Sequence, residues 1–185
     1  MEVINSLNSR RSRRKYLAKD IPNETINELL KCALNAPYGG KADDPKCQVT
    51  EFIVVRDKGI IKKLALHYDC RKFVPEAPVV IACCANKDND PDYKEWIFST
   101  ALSIENLLLA AEAMDIGSCI LSCFTHHQKH VEDKELLRKA LNIPDHVELV
   151  ALVTLGYKNE SEEIMPKVLR EFNDVVSYET YGNKN

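Results

Sequence analysis

Arg10-Arg11-Ser12-Arg13-Arg14-Lys15 packs five cations into six positions of a chain whose formal net charge is −3. Like charges at that density repel, so an ordered segment there calls for an anion. If the backbone is extended, Arg10, Ser12, Arg14 and Tyr16 share one side, and Arg11, Arg13 and Lys15 share the other. The first side then offers two guanidinium forks and a hydroxyl, a donor set that suits a phosphate monoester. A solvated basic arm or a nucleic-acid contact is the competing reading. No second basic patch or interleaved aromatic platform accompanies the segment, which weighs against nucleic acid. The chain contains neither G-x-x-x-x-G-K-[ST] nor G-x-G-x-x-G, so the holder is neither a P-loop nor a Rossmann turn.

A second stretch, GSCILSCFTHHQKH at 117–130, gathers two cysteines and three histidines. On a helix Cys119 and Cys123 would share a face and a metal. On a strand they lie about 13 Å apart at ~3.3 Å per residue, and two thiolates that must each come within ~2.3 Å of one zinc cannot do so. Gly117 reads as the left-handed stop of the preceding helix, and Ile120-Leu121 continues an apolar strand run, so the strand is favoured. His126 and His130 could pair if Thr125 caps a helix. With no H-E-x-x-H or C-x-x-C beside them, His126, His127 and His130 read as a solvated surface, and no metal is expected.

The elements that must position these groups follow from periodicity. Glu2 to Leu7 reads as a short helix. Asn23 to Asn35 reads as an amphipathic helix with Ile26, Leu29, Leu30, Ala33 and Leu34 on one stripe. Thr50 to Val55 is strand-like, Lys58 to His67 helical, and Ala77 to Cys84 a strand buried on both faces. Asp92 to Met114 holds no Gly or Pro and is apolar on most sides around Leu102 to Ala111, which predicts a buried central helix. Ser118 to Phe124 is a short strand, Val131 to Leu141 a helix and Val147 to Tyr157 a strand, while the tail from Met165 to Tyr181 has apolar pairs without a helical stripe. At 185 residues and 45% apolar, the chain suits one domain, 1–185, with an ordinary core. No apolar run approaches the ~20 residues of a membrane span. The first residues lack the apolar heart of a secretion signal, and seven cysteines, an odd number mostly within apolar runs, read as reduced thiols of a cytoplasmic protein.

Taken in order, the motifs resemble the nitroreductase family of FMN-dependent oxidoreductases. Arg10-Arg11-Ser12-Arg13-Arg14-Lys15-Tyr16 is similar to the family's R-R-S-x-R-x-[FY]. Ala36-Pro37-Tyr38-Gly39-Gly40 sits where the family has its A-P-S loop under the flavin. Gln48 with Phe52-Ile53-Val54-Val55 resembles Q-P-W-x-F-I-V-V. Asn106 to Ala111 resembles N-L-x-L-A-A, Gly117-Ser118-Cys119 resembles G-S-C, and Ala151 to Tyr157 resembles A-x-x-x-x-G-Y. The loop from Tyr38 to Cys47 is longer than the family's, and Val49-Thr50 replaces Pro-Trp.

The resemblance implies an α+β fold: a three-layer α/β/α sandwich with a mainly antiparallel central sheet, in an intertwined homodimer joined through the long central helix. FMN would sit at the subunit interface. Arg10, Ser12 and Arg14 would hold its phosphate and polar edge, with Arg11 contributing through its backbone, and Lys167 and Arg170 reaching the phosphate from the tail. Pro37, Tyr38 and Gly39 would lie against the ring, Gln48 would approach its pyrimidine end, and Leu121 and Ser122 would present backbone N–H groups near N5 and O4. The bond chemistry would belong to the flavin, with no protein nucleophile or general base: hydride from NAD(P)H in, hydride to a nitroaromatic, quinone or similar small oxidant out, by ping-pong. Neither nucleic acid nor a membrane is an expected partner. The altered Tyr38 to Thr50 loop keeps a second reading open, a non-catalytic flavin-binding carrier or sensor.

Overall fold

The computed structural model describes residues 3–39, 44–65, 72–90, 95–123 and 128–184, with 128–132 described by their backbone. Gly40, His67, Cys70, Phe124, His126 and His127, and the side chain of His130, lie outside the described residues.

Four strands form one antiparallel sheet in the order β1-β2-β4-β3: β1 Thr50–Val55, β2 Val79–Asn86, β3 Ile116–Ser122 and β4 Val147–Tyr157. Among the described residues six α-helices accompany it: α1 Val3–Ser9, α2 Asn23–Leu34, α3 Lys58–Ala65, α4 Trp96–Ala113, α5 Gln128–Ala140 and the one-turn α6 Phe172–Val175. Strand alternation divides the interior in two. On one face Val79, Ile81, Cys83 and Ala85 of β2 pack with Ile26, Leu29 and Ala33 of α2 and Ile104, Leu107 and Ala111 of α4. On the other, Val80, Ala82 and Cys84 pack with Ile61 and Leu64 of α3 and Leu137 of α5. A sheet with helices on both faces is the expected three-layer α+β sandwich, and β2, covered on both sides, reads as one continuous apolar run for that reason.

Three local expectations change. The left-handed residue after α4 is Asp115, at φ 59°, a conformation that a short polar side chain tolerates. Gly117 lies inside β3 and owes its identity to close packing instead. Helix α4 is buried on one side only, because none of the described residues covers the other: Phe98 is 73% exposed and Leu102 43%. Finally, Tyr16 leaves the side it was expected to share with Arg10, Ser12 and Arg14. It turns into the core beside Thr154 because a cross-strand pair of glycines opens room there.

Candidate functional site

The basic segment crosses the ends of β3 and β4 and is pinned on both sides. Upstream, Ser9 Oγ donates to Glu112 Oε1 at 2.8 Å, and Glu112 pairs with Lys158 Nζ at 3.2 Å. Both charged side chains are buried, and Asp115 adds a second carboxylate 3.0 Å from Lys158. In the middle, Ser12 bridges Ser118 in parallel, and Arg13 N–H donates to the Ser118 carbonyl at 2.8 Å. Downstream, Tyr16 hydroxyl donates to the Arg13 carbonyl and lies 2.6 Å from Thr154 Oγ1. Burial pushes the Tyr16 phenol well above its ordinary range, so it remains a neutral donor.

Gly117 and Gly156 face each other across β3 and β4. A Cβ on Gly156 would stand 2.6 Å from the Tyr16 ring, and one on Gly117 would stand 3.0 Å from Arg13 Cβ. The two glycines are therefore a trough for the stem of Arg13 and the ring of Tyr16. The two motifs are visible in the sequence, but this reason for them is not.

The trough leaves Arg10, Arg11, Ser12 and Arg14 around a pocket of about 270 Å³, which Lys167 closes from the tail. The arginines of this set have other anchors as well. Arg11 donates to the carbonyls of Asn8 and Arg10, and Arg14 lies 5.7 Å from the Phe73 ring centroid. Lys167 Nζ also donates to the Leu7 carbonyl at 3.3 Å. Glu162 and Glu163 line the pocket too, a feature the sequence did not signal.

Arg10 and Ser12 also line a second cavity of about 380 Å³, walled by Ile104 and Leu108 of α4, Ile120 and Ser122 of β3, and Val150 with Ala151 of β4. Two consecutive β4 residues face it because the β2–β4 register slips between Cys83 and Cys84, a bulge that breaks alternation at Val150. Leu121, between Ile120 and Ser122, sends its side chain into the opposite core, so β3 turns a mixed apolar and hydroxyl surface toward the cavity. β3 is an edge strand, and only one side of its backbone is taken up by a neighbouring strand. A cationic pocket sharing two residues with a largely apolar cavity fits a ligand that has an anionic end and a flat apolar body. FMN, the cofactor the resemblance implies, is a ligand of that kind.

Pro37, Tyr38 and Gly39 belong to a third pocket, of about 280 Å³, with Glu95, Phe98, Ser99 and Leu102. Gly39 N–H donates to Ser99 Oγ at 3.1 Å, fixing this turn on α4. Within one chain the turn is on a different flank of α4 from Ile97, Ala101 and Ile104, which wall the second cavity. Gln48 is not brought to any of these pockets; its amide donates to the Leu34 carbonyl at 2.7 Å and ties the loop to the end of α2. Arg170 lies outside the cationic pocket, exposed and 3.5 Å from the Asp174 carbonyl.

Among the described residues no three His, Cys, Asp or Glu side chains gather as a metal site, and no helix is long and apolar enough to cross a membrane. Burial pushes the thiols of Cys83 and Cys119 upward and that of Cys84 to about 12, which makes them small apolar fillers.

The chain has extensive relatives. A family model described as the nitroreductase family matches residues 7–70 and 68–157. A protein of Archaeoglobus fulgidus with the provisional name NADH dehydrogenase/NAD(P)H nitroreductase is 31% identical over 163 residues, 88% of each chain. Among solved structures, an FMN-dependent nitroreductase from Clostridium difficile superposes with a TM-score of 0.80 at 24% identity, covering 96% of this chain and 99% of its own. The NADPH:FMN oxidoreductase of Vibrio harveyi, solved with NAD+, superposes at 0.78 and 20% identity, over 99% and 79%. With its sandwich, its pinned basic segment and its glycine trough accounted for, the chain belongs to the nitroreductase family.

Proposed function

We propose that this chain is an FMN-dependent oxidoreductase that takes hydride from NADH or NADPH and passes it to a nitroaromatic, a quinone or a similar small oxidant. The observation that carries the reading is the pair of neighbouring cavities that share Arg10 and Ser12 as lining residues, one cationic and the other largely apolar. Arg10, Ser12, Arg14 and Lys167 hold the phosphate with charge-assisted hydrogen bonds. Arg170, in the same tail, lies outside this pocket in the single chain and is left out of the set, and the backbone of Arg11 helps shape the pocket. Ser122 and the backbone of Leu121 border the ring along the β3 edge. The bound flavin supplies the hydride chemistry. The protein positions it, excludes water with Ile104, Leu108 and Val150, and leaves one face open. Donor and oxidant use that face in turn, which gives ping-pong kinetics.

The working form is a homodimer of single-domain chains. Phe98 and Leu102 on α4, Val3 and Ile4 on α1, and Val168, Leu169 and Phe172 in the tail are all exposed, more apolar surface than a lone chain ordinarily shows water. Pairing through α4 also brings the Pro37–Gly39 turn of one subunit toward the flavin of the other, which accounts for its position on the far flank of α4. In this reading Gln48 holds that turn through Leu34.

The test is direct. Purified protein reconstituted with FMN should be yellow, bleach with NADH or NADPH under anaerobic conditions, and recover its colour on adding a quinone or a nitroaromatic. Flavin that binds yet never bleaches would favour a carrier or sensor. Failure to bind FMN would end both readings.

A further inference from the structure

The cationic pocket already contains an anion of its own. Glu162 Oε1 accepts the backbone N–H of Arg14 at 2.8 Å. Its other oxygen, Oε2, is buried and has no hydrogen-bond partner among the described residues. The side chain lines the same pocket as Arg10, Arg11, Ser12, Arg14 and Lys167. A buried carboxylate oxygen without a donor costs free energy and calls for an explanation. The cations that line the same pocket supply one: none lies within ion-pair distance of Glu162 among the described residues, yet a carboxylate facing the same space offsets part of their mutual repulsion when no other anion is present.

The consequence lies in what the pocket does to a ligand. A phosphate monoester entering beside Glu162 meets the cations and a fixed negative charge together, and its own charge is nearly −2 at neutral pH. We propose that Glu162 is a specificity-determining residue of the anion pocket. It competes with the phosphate for the same cations, lowers affinity for phosphate-bearing flavin relative to the phosphate-free form, and keeps the cofactor exchangeable. The inference rests on the reading of this pocket as the holder of the FMN phosphate. Glu163 lines the pocket too, but it is exposed and makes no hydrogen bond to the basic segment among those described, so its charge is better screened by solvent.

The experiment compares flavin-stripped native protein with E162Q, E162A and E163Q, titrating each with FMN and with riboflavin and following flavin fluorescence. Glu162→Gln keeps an oxygen to accept the Arg14 N–H, so the segment stays anchored. Glu162→Ala checks that any gain does not come from the new amide donating to phosphate. Removing one negative charge from beside a dianion should tighten FMN binding by about tenfold or more in both Glu162 variants. Riboflavin affinity should stay put, and E163Q should change FMN binding much less. In competition, inorganic phosphate should displace FMN from E162Q at lower concentration than it displaces riboflavin from the same protein. Unchanged or weaker FMN binding in both Glu162 variants overturns the inference and leaves the flavin reading standing, and so does a gain shared equally by riboflavin. If neither native protein nor variants bind FMN, the flavin reading falls and takes this inference with it.

Discussion

Replacing Gly156 by Ala tests the trough that carries the basic segment. The new methyl would stand 2.6 Å from two atoms of the Tyr16 ring and 2.7 Å from Tyr16 Cβ, separations that real Cβ atoms do not adopt. The ring cannot swing aside cheaply. It is 9% exposed, and its hydroxyl is bonded to the Arg13 carbonyl and lies against Thr154. Overpacking of this kind costs about 1–3 kcal/mol. If relief comes by breaking the hydroxyl contacts, each buried bond given up adds about 0.5–1.5 kcal/mol. Urea unfolding of the variant should therefore show a loss of about 2–4 kcal/mol with little change in slope. FMN affinity should fall as well, because moving Tyr16 moves the chain from Arg10 to Arg14 with it. Gly117→Ala is the graded control. Its methyl meets the stem of Arg13 at 3.0 Å and 3.3 Å and should cost less, about 1 kcal/mol. A double variant, Tyr16→Ala with Gly156→Ala, should be less damaged than the sum of the two singles, since the ring and the methyl no longer meet. A Gly156→Ala protein within about 0.5 kcal/mol of native, with unchanged FMN affinity, would refute the packing account of both glycines.

Three further outcomes follow from the same geometry. Phe98→Glu puts a charge on the exposed apolar face of α4, and sedimentation should show a monomer with weakened FMN binding; a variant dimer as tight as native would count against α4 as the interface. Cys84 has a thiol raised from 9.0 to about 12 by burial, so the folded state keeps its proton where the unfolded chain has lost it. That contribution is complete below about pH 9 and is lost as pH rises toward 12, at up to about 1.4 kcal/mol per pH unit; Cys84→Ala should flatten the alkaline fall in urea stability, and an unchanged slope would rule it out. Glu112→Ala leaves Lys158, a cation with a largely buried side chain, with the carboxylate of Asp115 and removes one hydrogen bond of Ser9. Calorimetry should register a loss of about 3–5 kcal/mol, and a loss under about 1 kcal/mol, the scale of an exposed pair, would show that the Glu112–Lys158 pair is not the upstream pin.

Much of the fold was legible because its signals are local. β2 reads as a strand from its unbroken apolar run, and Val79–Asn86 is indeed covered on both faces. Asn23 to Asn35 reads as a helix and Asn23–Leu34 is one; of its stripe Ile26, Leu29 and Ala33 are buried, Leu30 is half-buried, and Leu34, at the helix end, is exposed. Val147–Tyr157 was bounded to the residue, since turn chemistry flanks it on both sides. The errors arose where burial depends on something distant. The mostly apolar character of α4 reads as a buried helix, yet Phe98 and Leu102 stand exposed, uncovered by the described residues. Gly117 reads as a cap because a glycine after a helix usually is one, and only the position of Arg13, far off in sequence, reveals the steric reason. Glu162 gave no signal at all, for it reaches Arg14 across 148 positions.

The site residues divide along the same line. Arg10, Ser12 and Arg14 could be grouped from their alternation alone, and they do line one pocket. Alternation failed two residues later, at Tyr16, because the chain there answers to the glycine trough and not to its own pleat. A similar break occurs at Val150, where the bulge turns two neighbouring residues into the second cavity. Both departures do the same physical work. A regular strand offers one face every second residue, which is too coarse to close a cavity around a flat ligand and also anchor the segment that holds its charged end. An extra residue in β4 fills the cavity wall, and a missing pair of side chains on β3 and β4 admits the anchor. The two irregularities sit on the strands that border the candidate flavin site, while β1, away from it, keeps its register with β2 throughout.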